Sequence, residues 1–139
     1  MRRPGQQARA FWSKTVRSFH FAFEGLFFLL RTQRNAQIEV LIGAAACGVG
    51  AWLGISRVEW AVLIFTIALV LILEGLNTAV EAAIDLASPQ IHPLAKAAKD
   101  LAAGMVLIAA LASIGVGLLI LGPPLWHRLF DTFRAFRSG

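Results

Sequence analysis

The chain has one cysteine, no tyrosine, and charged side chains at only 15% of its 139 positions. A single cysteine, Cys47, excludes an intrachain disulfide, and nothing else speaks for an oxidising compartment. So little charge beside 58% hydrophobic residues excludes the composition of an ordinary soluble domain. No secretory leader is expected either: the apolar stretch from Phe19 to Leu30 is interrupted by Glu24, and no small-residue cleavage pattern follows. The N-terminus is therefore expected to be kept.

What is present is long apolar runs. Val40 to Ser56 has no charge, Trp60 to Val80 has only Glu74, and Leu101 to Trp126 has none. About 20 apolar residues in a helix cross a hydrocarbon core of roughly 30 Å, so these runs predict three transmembrane helices in one domain. A soluble bundle would interleave polar residues at every third or fourth position, which these runs do not. Arg2, Arg3, Arg9, Lys14, Arg17, Arg31, Arg34, Lys96 and Lys99 fall on one side of the membrane, and Arg57, Arg128, Arg134 and Arg137 on the other. The basic excess puts the N-terminus and the second loop in the cytoplasm. The net charge of +5 then serves membrane anchoring, and no nucleic-acid partner is expected.

Along the chain, residues 1–10 look like a loose start. Residues 11–34 predict an amphipathic interfacial helix, with Trp12, Val16, Phe19, Phe23, Phe27 and Leu30 on one face and Lys14, Arg17, Glu24 and Arg31 on another. Phe21 and Phe28 sit on the polar face, where deeper membrane contact is the simpler reading. The crossings are set at 36–56, 59–86 and 97–122. The first is rich in small residues, and Gly50 with Gly54 fits the small-xxx-small spacing of tightly packed membrane helices. Gly48, Gly50 and Gly54 do not make a nucleotide-binding loop, lacking its spacing and its preceding strand. Ser88, Pro89 and Pro93 break the second loop, Pro123 and Pro124 end the third crossing, and residues 125–139 read as a second interfacial helix.

The segment Glu74-Gly-Leu-Asn77-Thr-Ala-Val-Glu81-Ala-Ala-Ile-Asp85 holds the chemistry. At about 100° per residue its four polar residues share an arc of roughly 80° and rise about 16 Å along the helix. A carboxylate at membrane depth costs several kcal/mol unless paired or hydrated, which makes Glu74 a functional candidate. Polar stripes also hold membrane helices together, but three mutually repelling carboxylates exceed what such a role needs. Lys99 and Asp100 open the third crossing at the same level, where an amine can neutralise a carboxylate or hold phosphate. Carboxylates, an amine and access to both water and lipid suit a divalent metal with bound phosphates.

These residues resemble the small bacterial membrane lipid kinases, the diacylglycerol kinase and undecaprenol kinase family. The resemblance rests on the Glu74 to Asp85 segment, on His92-Pro-Leu-Ala-Lys-Ala-Ala-Lys99-Asp100, on Arg31-Thr-Gln33-Arg-Asn35 and on Glu59-Trp60. It implies an all-α membrane protein, with a surface helix and three crossings per protomer of a homotrimer, and ATP and Mg2+ as cofactors. By the same resemblance Glu74 is the catalytic base that meets the lipid hydroxyl, and Glu81 is a metal ligand at the nucleotide. Lys99 and Asp100 are nucleotide contacts, Asn77 supports the substrate, Ala103 lies near the acceptor, Phe21 stands near the adenine, and Lys14 meets phosphate. Where the family usually has a second glutamate on the metal, this chain has Gln33, so either Gln33 serves there weakly, or Glu24 or Glu39 substitutes, or activity is low. The Asn-Thr-Ala and Lys-Asp-Leu-Ala-Ala-Gly forms resemble the undecaprenol branch more than the diacylglycerol branch. Outside this class, a cation-coupled transporter would want a polar path beyond Glu74, and residues 60–73 offer only Thr66. A non-catalytic assembly factor would give no reason for Glu74 at depth.

Overall fold

The computed structural model describes residues 4–88, 90 and 92–137, so Pro89, Arg2 and Arg3 lie outside the described residues. Four helices follow one another: α1 (Pro4–Thr32), α2 (Arg34–Leu53), α3 (Arg57–Ala87) and α4 (Pro93–Arg137). Three of them, α2, α3 and the Pro93–Asp131 part of α4, are long and apolar enough to cross a membrane. Large apolar side chains such as Leu41, Phe65, Leu107 and Leu119 are exposed on the outside of the bundle. That is the arrangement lipid requires, since helices satisfy their own backbone hydrogen bonds and need no polar coat. The protein is an all-α membrane protein with one additional N-terminal helix.

Helix α1 starts at Pro4, earlier than a loose first ten residues would allow, and proline is well suited to the first helical turn. It breaks at Gln33, whose extended backbone (φ −99°, ψ 112°) precedes α2 without a side-chain cap bond. Gln37 Nε2 donates to the Leu30 carbonyl across this break at 3.0 Å, leaving the Gln33 amide free of capping duty.

At the other end of α2, Gly54 adopts a left-handed conformation (φ 69°) and its N–H donates to the Gly50 carbonyl at 3.0 Å. Glycine has no Cβ to resist that conformation. Gly54 thus turns the chain, while Gly50 packs: a Cβ there would come within 2.9 Å of Ile55 Cδ1. Helix α3 then opens on a capping box, with Glu59 N–H donating to Ser56 Oγ at 3.3 Å and Ser56 N–H donating to Glu59 Oε2 at 2.7 Å.

The α2–α3 hairpin is close-packed through glycine. A Cβ on Gly43 would lie 2.9 Å from Ile67 Cγ2, and one on Gly50 would lie 3.6 Å from the Trp60 ring. Both contacts follow one antiparallel register. It sets Ala36 level with Glu74, Gln33 level with Asn77, and Glu39 level with Leu71. Helix α3 packs most extensively on α4.

Helix α4 corrects one expectation. It runs unbroken through Pro123 and Pro124 to Arg137, so residues 125–139 are not a helix of their own: the described part continues α4. The prolines remove two N–H donors, but Gly122 before them has no Cβ to meet the proline ring. Beyond them the Arg128 guanidinium lies 5.5 Å from the centre of the Trp52 ring, tying this extension to the end of α2.

Candidate active site

The polar side chains gather at the end of the bundle that holds the α1–α2 break and the α3–α4 loop. Helix α3 supplies the stripe. Glu74 is 2% exposed, the one buried charged residue among those described. Its burial follows from Ala36, the residue facing it on α2, which is itself 0% exposed and leaves room for a longer neighbour. Thr78 Oγ1 donates to the Glu74 main-chain carbonyl at 3.0 Å. Asn77 Nδ2 donates to Glu81 Oε1 at 3.2 Å, so the amide sets the Glu81 carboxylate. Glu81 in turn lies close enough to Glu74 for their charges to repel.

Helix α2 adds two groups that the stripe alone does not reveal. The Asn35 amide reaches the Glu74 carboxylate. Glu39, one turn further along α2, is close enough to Glu74 for electrostatic repulsion. One oxygen of each of three side chains, Glu39 Oε2, Glu74 Oε2 and Asn77 Oδ1, is buried without a hydrogen-bond partner. Buried polar atoms in folded proteins are nearly all paired, so this cluster of acceptors calls for a proton, a donor or a cation that the ionised side chains do not supply.

Toward the loop, Lys99 pairs with Asp85 across the α3–α4 hairpin, and Lys96 pairs with Asp100 one turn along α4. These four side chains, with Ser88 and His92, line a cleft of about 270 Å³. His92 Nδ1 accepts from Leu94 N–H at 3.2 Å at the start of α4. Asp85 and Lys99 therefore continue the line of Glu74, Asn77 and Glu81 to the cleft. Asp100 is held by Lys96 and not by Lys99.

Other residues singled out from sequence stand apart from this line. Phe21 is exposed on α1, with the Arg17 guanidinium 6.0 Å from its ring centre, and Lys14 is exposed on the same helix. Ala103 is exposed on α4. Glu24 is engaged with His20 at 3.2 Å on the exposed side of α1.

Among the described residues no three His, Cys, Asp or Glu side chains form a metal cage. Mg2+ arriving with phosphates does not ask for one: it needs one or two carboxylates and takes its remaining ligands from phosphate and water. Glu81 held by Asn77, the unpartnered Asn77 Oδ1 and the uncommitted Gln33 amide level with it are an all-oxygen donor set of that kind.

The family model for prokaryotic diacylglycerol kinase matches residues 20–121 of the chain. A diacylglycerol kinase of Synechocystis sp. is 46% identical over 109 residues, covering 78% of this chain and 62% of that relative. The match thus spans less than two thirds of that relative's length. An undecaprenol kinase of Bacillus subtilis is 44% identical over 116 residues, covering 81% of this chain and 92% of the relative. The diacylglycerol kinase of Escherichia coli K12 is 32% identical over 81 residues, covering 58% of this chain and 64% of the relative. The chain belongs to the prokaryotic diacylglycerol kinase family of membrane lipid kinases.

Proposed function

We propose that the protein transfers the γ-phosphoryl group of ATP to the hydroxyl of a polyprenol, undecaprenol being the favoured substrate, with diacylglycerol as the alternative. The observation that carries this reading is Glu74, a carboxylate 2% exposed within a membrane helix and still holding an unpartnered oxygen. A base with a free lone pair at that depth is what an alcohol anchored in lipid must meet. The choice of polyprenol is supported by the Asn77-Thr-Ala and Lys99-Asp-Leu-Ala-Ala-Gly forms. The undecaprenol kinase of B. subtilis, matched over 92% of its length, adds to that support.

In this mechanism Glu74 takes the hydroxyl proton while the lipid oxygen forms a bond to the γ-phosphorus. The bond from that phosphorus to the β,γ-bridging oxygen breaks, and ADP leaves with the electron pair. Lys99 releases Asp85 to neutralise phosphate, and Asp100 contacts the nucleotide beside it. Glu81 and Gln33 would hold Mg2+, which would supply positive charge to neutralise the phosphates. Asn77 keeps Glu81 in place and lies next to the acceptor, as does Ala103 on α4. Phe21 and Lys14 reach the nucleotide from the surface helix, Phe21 at the adenine and Lys14 at phosphate.

The working form in this reading is a homotrimer in the bacterial inner (plasma) membrane, N-terminus in the cytoplasm. Gly104, Gly115 and Gly122 support it: at about 100° per residue they share one side of α4, and a Cβ on any of them would meet nothing within 4 Å inside the chain, which leaves a smooth face for a neighbour. A transporter is disfavoured because Thr66, the one polar side chain that residues 60–73 offer, spends its hydroxyl on the Val62 carbonyl at 2.8 Å.

The test is lipid-dependent ADP release by the purified protein with undecaprenol or diacylglycerol in otherwise identical bilayers. Higher kcat/KM with undecaprenol is expected. A preference for diacylglycerol would reverse the substrate assignment, and release with neither would remove the kinase reading.

A further inference from the structure

The buried oxygens of Glu39 and Glu74 pose a problem that the mechanism above leaves open. An ionised carboxylate can only accept hydrogen bonds. Two ionised carboxylates side by side in an apolar span would each lack a donor and would repel one another. The Glu74 charge acts on Glu39, while the charge of Glu81 and the Asn35 amide act on Glu74.

Glu39 also stands in the wrong place to replace the missing metal carboxylate. The hairpin register puts it level with Leu71, ten residues of helix from Glu81, or about 15 Å along the axis. It lies beyond Glu74, on the side away from Glu81 and the cleft. Gln33, level with Asn77, is the α2 residue nearer to Glu81.

We infer that Glu39 is a positioning residue for Glu74: the two carboxyl groups hold one proton between them, Glu39 donating its O–H to a Glu74 oxygen. One shared proton gives the unpartnered oxygens of both residues a partner and halves the buried charge. In this arrangement Glu39 carries the proton, and Glu74, which also meets the Asn35 amide, is the ionised partner. With one Glu74 oxygen fixed by Glu39, the carboxylate cannot rotate, and its remaining lone pairs are held toward the acceptor hydroxyl. Glu39 itself does not touch the reacting atoms, and its proton does not leave during turnover. This inference rests on the lipid-kinase reading for its kinetic arm and is independent of it for its spectroscopic arm.

The experiment compares Glu39→Gln and Glu39→Leu in the full-length protein in bilayers. A glutamine N–H can replace the donated O–H, whereas leucine has no donor. Glu39→Gln is expected to keep kcat within a few-fold of the unsubstituted protein. Glu39→Leu is expected to lose on the order of tenfold to a hundredfold in kcat through misorientation of the base, with the KM for ATP unchanged. In the infrared spectrum, the carbonyl band of a buried protonated carboxylic acid should be present in the unsubstituted protein and lost in Glu39→Gln. Leucine at full kcat, glutamine as damaging as leucine, or a band that survives Glu39→Gln would each overturn the inference. Absence of lipid-dependent ADP release from the unsubstituted protein would instead sink the lipid-kinase reading, with the infrared result still deciding whether the pair shares a proton.

Discussion

The two ends of the α2–α3 hairpin are built on opposite principles. At the Gly54–Ser56 turn each group has a use: Gly54 closes α2, Ser56 and Glu59 cap α3 reciprocally, and Arg128 covers Trp52. At the other end, Glu39, Glu74 and Asn77 each keep a buried oxygen without a partner. Both ends use a glutamate on α3, yet Glu59 is spent on its own helix and Glu74 is not. A satisfied end stabilises the hairpin. An unsatisfied one is tolerated in a membrane span when a shared proton or a ligand supplies what is missing.

Substitutions can break or sharpen this contrast. Glu74→Gln keeps the shape of the side chain and removes its basicity, so kcat should fall by about 10²- to 10⁴-fold, the usual worth of a general base. Next in size, Gln33→Glu should raise activity several-fold at limiting Mg2+ and little at saturation, because a carboxylate adds charge where an amide has none. Magnesium titrations of both proteins measure this, and superimposable curves would remove Gln33 from the ligand set. The smallest effect belongs to the satisfied end. Ser56→Ala should cost about 1 kcal/mol of stability, the usual worth of an N-cap, and leave kcat unchanged. A thermal melt beside an activity assay reads both, and a loss of kcat there would blur the distinction between the two ends.

Much of this was legible in the sequence. The three spans follow from uninterrupted apolar runs, and the stripe from Glu74 to Asp85 follows from helical periodicity. Lys99 at the same end follows from the second loop being short. Asn35 and Glu39 are spaced to share a helix face, but that face gains meaning only once Gly43 against Ile67 fixes the hairpin register. Gly54 could have been a packing glycine or a turn glycine by its spacing, and only its left-handed backbone decides. The run of α4 through Pro123 and Pro124 was hidden because proline usually ends a helix, and the relief provided by Gly122 is a local steric matter.

The central claim is that Glu74 acts on the lipid hydroxyl and has no part in holding ATP. Radiolabelled phosphate transfer to lipid, measured beside equilibrium ATP binding for Glu74→Gln in bilayers, tests it most directly. Transfer should be lost while the affinity for ATP stays that of the unsubstituted protein. Transfer at an undiminished rate, or ATP binding lost together with it, would contradict the role given to Glu74.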